Sequence, residues 1–296
     1  MKRPKLLSKI PLIIKLMRPH QYIKNIFIFI PLFFALKITD ASLVLNAFIA
    51  FFAFSLSASS VYILNDYFDI EADREHPKKR FRPLASGEIS KHEAIVLMLS
   101  LFALSAILIC SVSINAVAIL LFYIGMNIAY SINLKHIAIL DVTIIAIGFV
   151  LRLFMGSIVT GIALSHWIVI MTFLLALFMA LAKRRDDVLI YQNTGKKMRK
   201  VIDGYNLQFL DIAMAIMASV VIVAYIMYTT SLDVMERIDS HHLYLTALFV
   251  IIGVMRYLQI SFVLLDSGSP TQIVLKDRFI QFTLLGWILS FIWILY

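Results

Sequence analysis

The run Asn65-Asp66-Tyr67-Phe68-Asp69-Ile70-Glu71-Ala72-Asp73 is a polar island in a hydrophobic chain, and Arg74-Glu75-His76-Pro77-Lys78-Lys79-Arg80-Phe81-Arg82-Pro83 follows at once. If the island continues as a helix, each residue turns by about 100°. Asn65, Asp69, Asp73 and Asp66 then share one face, and Glu71 and Glu75 lie on the other. Clustered carboxylates repel one another unless a cation holds them. Hard oxygen ligands on one face suit Mg²⁺, which keeps waters and takes a few carboxylates together with phosphate oxygens. A solvated helix end is the plain alternative for any acidic cluster. The adjoining basic run shifts the balance, because a metal beside Arg and Lys describes a diphosphate site.

Further polar groups recur down the chain. Lys183-Arg184-Arg185-Asp186-Asp187 reads as a second polar loop. Its adjacent acids diverge on a helix, so it is mainly cationic, with Lys183 and Arg184 placed to reach phosphate oxygens and Arg185 equally explained as a membrane anchor. Tyr130 and Lys135 flank a tight turn, and Asp141 opens the next apolar run. An acid there is costly unless it is paired, so a hydrogen bond or a neighbouring cation is expected. Arg152 and Arg256 lie within apolar runs, where each either binds a lipid phosphate or pairs with a buried acid. The Asp266-Ser267-Gly268-Ser269-Pro270 stretch, running on to Lys276-Asp277-Arg278, reads as a loop able to cap a site.

The elements that must position these groups are membrane helices. Hydrophobic residues make up 61% of the chain and charged ones 15%, with mean hydropathy +0.90, which excludes a soluble globular domain. Apolar runs of spanning length recur at about 26–39, 41–64, 93–112, 115–132, 139–162, 166–182, 209–232, 242–265 and 279–296. These predict an all-α integral membrane bundle of nine transmembrane helices. One domain, 1–296, is expected, and the first two runs could form a tight hairpin. Residues 5–17, within an N-terminal segment 1–24, read as an amphipathic helix lying on the membrane surface. Counted in segments alternating across the nine spans, 23 Lys and Arg fall on one side and two on the other. That bias places the N-terminus and the polar loops in the cytoplasm of a multi-pass cell-membrane protein. It also explains the net charge of +9 without nucleic acid. The lone Cys110 forms no disulfide framework, and the seven His lack zinc-ligand spacing. Nucleotide-hydrolase loops, dinucleotide fingerprints and serine elbows are absent from the sequence.

Asn65–Gly87 resembles the first motif, N-D-x-x-D-x-x-x-D, of the UbiA-type membrane prenyltransferase superfamily, and the nine-span pattern extends the resemblance over the whole chain. The chain is most similar to the branch that moves phosphoribosyl groups. The supporting stretches are Arg18-Pro19-His20-Gln21-Tyr22-Ile23-Lys24-Asn25, Glu71–Pro77, Arg80-Phe81-Arg82-Pro83, Tyr130-Ser131 with Leu134-Lys135, Lys183-Arg184-Arg185 and Arg256-Tyr257. The second acidic motif of aromatic-acceptor relatives is spaced D-x-x-x-D, whereas Asp186 and Asp187 are adjacent here. The resemblance implies Mg²⁺ held by Asp66, Asp69 and Asp73 with Asn65. It implies phosphates gripped by Lys24, Asn25, Arg82, Tyr130, Lys135, Lys183, Arg184 and Arg152. The substrates it implies are phosphoribosyl diphosphate (PRPP) and a polyprenyl phosphate, with pyrophosphate released and the anomeric centre inverted. A homo-oligomer is compatible with such a domain. Transfer of a prenyl group to an aromatic acceptor is the second enzymatic reading, and a lipid-phosphate transporter is the reading from another class.

Overall fold

Side-chain caps fix where several of the apolar runs begin. In the computed structural model, which describes residues 6–75, 79–195, 197, 199–265 and 270–295, Asp40 caps helix α3 (Ala41–Phe68). Its carboxylate accepts the backbone N–H groups of Ser42 and Leu43, two of the donors a helix start leaves without partners. Ser90 and Glu93 form a reciprocal capping box on α5 (Lys91–Cys110). Asn206 caps α9 (Leu207–Thr230), and Gly195, in the left-handed region, ends α8 (His166–Thr194).

All described elements are helical. Besides those named, they are α1 (Leu6–Met17), α2 (Ile30–Phe34), α4 (Ile70–Glu75), α6 (Ile114–Ile132), α7 (Leu140–Thr160), α10 (Leu232–Ile238), α11 (Ala247–Phe262), α12 (Pro270–Lys276) and α13 (Arg278–Leu295), with short 3₁₀ segments between. Seven helices are long and apolar enough to cross a membrane, and a shorter apolar helix covers Arg278–Ile294. Within the stretch 5–17 expected to be helical, α1 runs from Leu6 to Met17.

Two expectations are corrected. Residues 26–39 do not form one spanning helix. A 3₁₀ segment, Pro19–Phe29, leads into the five-residue α2. Gly156 of α7 explains the seat of that segment, since any Cβ there would run into the Ile28 carbonyl. The 183–187 run is not a loop either, because α8 continues through it to Thr194.

The chain packs as two compact units: Met1–Leu134 with Gly148–Leu164, and Lys135–Ile147 with Ser165–Tyr296. In the first, α3 lies against α5 and also meets α1, α6 and the 3₁₀ segment. Buried Ala47, Ala50, Ala53 and Ala58 let neighbours approach α3 closely, and Ser105 of α5 donates to the Ala53 carbonyl at 2.6 Å. Leu16, Ile63, Ile70, Leu84, Ile89, Ala94 and Leu101 form one cluster that fastens the 82–89 turn beside the end of α3. The second unit is built on α8 against α9, with α11 against α9 and α13. Its core includes Phe178, Leu181, Leu210, Met214 and Tyr257.

Candidate active site

The acidic island leaves α3 almost as one continuous helix. Asp69 ends α3, yet its N–H still bonds the Asn65 carbonyl at 3.0 Å, and the Asp73 N–H bonds the Asp69 carbonyl at 2.8 Å across the junction into α4. The expected face therefore forms. Asp66 and Asp73 are each 2% exposed, Asn65 donates to Asp69 at 3.1 Å, and Glu71 points outward with Arg74.

Guanidinium groups hold the two buried acids together. Arg82 Nη1 donates to Asp66 Oδ1 at 2.9 Å and to Asp73 Oδ2 at 2.6 Å. Arg18 Nη2 donates to the same Asp66 oxygen at 2.5 Å, and Lys79 stands 4.0 Å from Asp73. Lys15 of α1 donates to the Phe81 carbonyl at 2.8 Å and so steadies the turn that carries Arg82.

Arg18 is absent from the candidates that sequence reasoning picked out. It follows α1 and precedes Pro19 in the left-handed region, with φ 56°, where a non-glycine backbone is strained. Its guanidinium stacks over Tyr62 at 5.4 Å. The usable signal was its type and place: a cation held between the end of an amphipathic helix and a proline.

Among the described residues no three His, Cys, Asp or Glu gather as a preformed metal cage. Two carboxylates nevertheless converge on a single nitrogen of Arg82. Mg²⁺ is commonly held by one or two carboxylates with waters and substrate phosphates, so this donor set fits an ion that arrives with a diphosphate.

The remaining candidates are placed as follows. Lys24, half-buried, and Asn25, buried, lie on the 3₁₀ segment of the first unit. Tyr130 lies half-buried near the end of α6 in that unit. Asn25 donates to Ser55 at 2.7 Å and accepts from Arg152 at 2.7 Å. Lys135 and Lys183 belong to the second unit, half-buried and exposed respectively. Arg184, expected to grip phosphate, is 1% exposed there. It donates to Asp141 at 2.5 Å and to Asp187 at 2.9 Å. The cation expected beside Asp141 is therefore Arg184, and Tyr205 adds a second hydrogen bond to that acid at 2.6 Å. Arg185 pairs with Asp211, and Arg256 with Asp277. Residues 266–269 of the expected capping loop lie outside the described residues, and Pro270–Lys276 of it is helix α12 rather than loop.

A carboxylate pair beside partly exposed guanidinium groups is a donor set that a metal-bound diphosphate can use. The chain matches the UbiA prenyltransferase family over residues 26–285 and belongs to that family. It is a multi-pass integral membrane protein and, by that membership, a transferase. Sequences named decaprenyl-phosphate phosphoribosyltransferase from Mycolicibacterium smegmatis and Corynebacterium glutamicum are 32% and 30% identical to it. They cover 93% and 96% of this chain and are covered over 90% and 86% of their own lengths. A UbiA homolog from Archaeoglobus fulgidus, solved bound to DMAPP and Mg²⁺, shares the fold with TM-score 0.71 at 18% identity, over 96% of this chain and 98% of that one.

Proposed function

We propose that this protein transfers 5-phosphoribose from PRPP to a polyprenyl phosphate of the decaprenyl type and releases pyrophosphate. The observation that carries the reading is the Arg82 bridge between Asp66 and Asp73, in a chain similar over nearly its whole length to the two phosphoribosyltransferases. Asp66 and Asp73, with Asn65 and Asp69 beside them, would hold Mg²⁺. When bound, the ion neutralises charge on the departing pyrophosphate. Arg18 and Arg82, partly exposed at 21% and 26%, turn from the carboxylates to donate to diphosphate oxygens. Lys24 and Tyr130, in the same unit, add donors for the remaining phosphate oxygens.

The bond from the anomeric carbon to the pyrophosphate oxygen breaks, and one from that carbon to a lipid-phosphate oxygen forms. The acceptor is already an anion, so no base is needed. Direct attack inverts the anomeric centre, and a product with retained configuration would remove the single displacement.

The family match over residues 26–285 takes in most of both compact units, and we read them as one catalytic domain. Nine membrane passes fit the seven long helices together with α13 and the broken 19–34 segment. The distribution of Lys and Arg favours a cytoplasmic N-terminus and a cytoplasmic site in the cell membrane.

The test is pyrophosphate release by purified protein in detergent with Mg²⁺. Release that needs PRPP and polyprenyl phosphate together supports the proposal. Release from a prenyl diphosphate with an aromatic acceptor would move the protein to the other branch of its family. Folded protein that releases pyrophosphate from neither pair would favour the lipid-phosphate transporter over both transferases.

A further inference from the structure

Three arginines are buried among the described residues: Arg152, Arg184 and Arg185. Arg184 and Arg185 each pair with an aspartate. Arg152, 5% exposed on α7, does not. Its Nε donates to Asn25 Oδ1 at 2.7 Å and its Nη1 to the Gly148 carbonyl at 2.6 Å. The rings of Phe54, Tyr123 and Phe149 surround its guanidinium carbon at 4.8, 5.4 and 5.4 Å. No carboxylate among the described residues reaches it, and its Nη2 has no partner among them.

A buried charge with no counter-charge is unfavourable, and an ionisable residue inside a membrane bundle pairs with another charge or a backbone carbonyl or marks the path of a substrate or ion. The Gly148 carbonyl meets one nitrogen of Arg152 and neutralises none of its charge. The choice of Asn25 sharpens the point. An aspartate has nearly the same shape and would neutralise Arg152 in place. The chain has an amide instead, held in orientation by its bond to Ser55 at 2.7 Å. Position follows from α3. Arg152 stacks over Phe54 of α3, and its partner Asn25 is bound to Ser55, which shares the Asp66 face of that helix some three turns earlier, roughly 16 Å along the axis. Arg152 therefore lies on the same side of α3 as the acidic site and further into the apolar part of that unit.

We infer that Arg152 anchors a phosphomonoester group, separate from the diphosphate held at Asp66 and Asp73. The inference rests on the proposed function, in which two such groups exist: the head of the polyprenyl phosphate and the 5-phosphate of PRPP. The chemistry they share is a dianionic phosphate able to accept from the unpartnered Nη2.

The test compares wild type with Asn25→Asp and Arg152→Lys in detergent, without Mg²⁺ or PRPP. Thermal stabilisation and calorimetric affinity are measured with farnesyl phosphate and, separately, with ribose 5-phosphate. Wild type should bind one probe, and that probe names the source of the phosphate. Asn25→Asp should be at least as heat-stable as wild type when unliganded, yet bind that probe at least 10-fold more weakly. Arg152→Lys should keep part of the affinity, because the charge remains while the planar fork is lost. Unchanged binding in Asn25→Asp, an Asn25→Asp protein less stable than wild type, or a wild type that binds neither probe would each overturn the inference. Pyrophosphate release by wild type is scored independently. An active wild type whose Asn25→Asp variant binds both probes normally would remove the anchor and leave the proposed function standing.

Discussion

Each unit contains an aspartate bridged by two arginines, and the two arrangements differ in access. In the first unit Asp66 lies between Arg18 and Arg82, whose side chains are 21% and 26% exposed. In the second, Asp187 lies between Arg199, 34% exposed, and Arg184, which also holds Asp141 and is only 2% exposed. The ion-pair chemistry is the same at both places. A partly exposed guanidinium can leave a carboxylate for a phosphate and be rehydrated on the way. A buried one that leaves strands two charges in a low-dielectric interior. Exposure therefore separates Arg18 and Arg82, suited to exchanging ligands, from Arg184, suited to holding helices together.

Arg184→Ala tests the structural role of the second cluster. It should destabilise the protein by about 3–5 kcal/mol, the cost of leaving a buried acid without its partner, seen as a large drop in thermal midpoint or in folded yield. A midpoint close to wild type would mean the second cluster is not structural. Asp66→Asn should behave in the opposite way. Pyrophosphate release should fall about 10²–10³-fold, as when one preorganised electrostatic group is removed, with a smaller stability loss than Arg184→Ala. Activity within a few-fold of wild type would take the acidic face out of catalysis.

Tyr205→Phe sharpens the second cluster. Burial and the adjoining Asp141 carboxylate raise the pKa of the phenol well above its usual range, so it stays a donor at any working pH. Losing that donor should cost about 1–3 kcal/mol, measured by denaturation, while the KM for PRPP is unchanged. The smallest effect is expected for Glu71→Gln. Glu71 belongs to the acidic island but faces solvent, its side chain 77% exposed. The change should alter stability by no more than about 0.5 kcal/mol and leave activity intact; a large loss would show that charge in the island matters without regard to face.

Much of this was legible in the residues. The apolar runs beginning near 41, 93, 115, 139, 166, 209, 242 and 279 all form helices, because an apolar segment meets its own backbone hydrogen bonds locally. The face that groups Asp66 and Asp73 and turns Glu71 away follows from helical periodicity, and a partner for Asp141 follows from the cost of a lone buried acid. Two features were not legible. Charge density at 183–187 suggested a loop, but Asp141, Arg199 and Asp211, distant in sequence, pair with the charges there and let the helix continue. Apolar length at 26–39 suggested a span, but the close approach at Gly156 accompanies a 3₁₀ segment.

Composition, periodicity and local spacing were enough to establish the membrane class, the helices and the acidic face, because each depends on residues a few positions apart. Which arginine faces a carboxylate and which does not depends on neighbours tens of residues away. Arg152, Arg184 and Arg18 look alike as letters. Folding gives Arg184 two acids, gives Arg18 the oxygen it shares with Arg82, and leaves Arg152 among aromatic rings without an acid, since burial and long-range pairing exist only once the helices have packed.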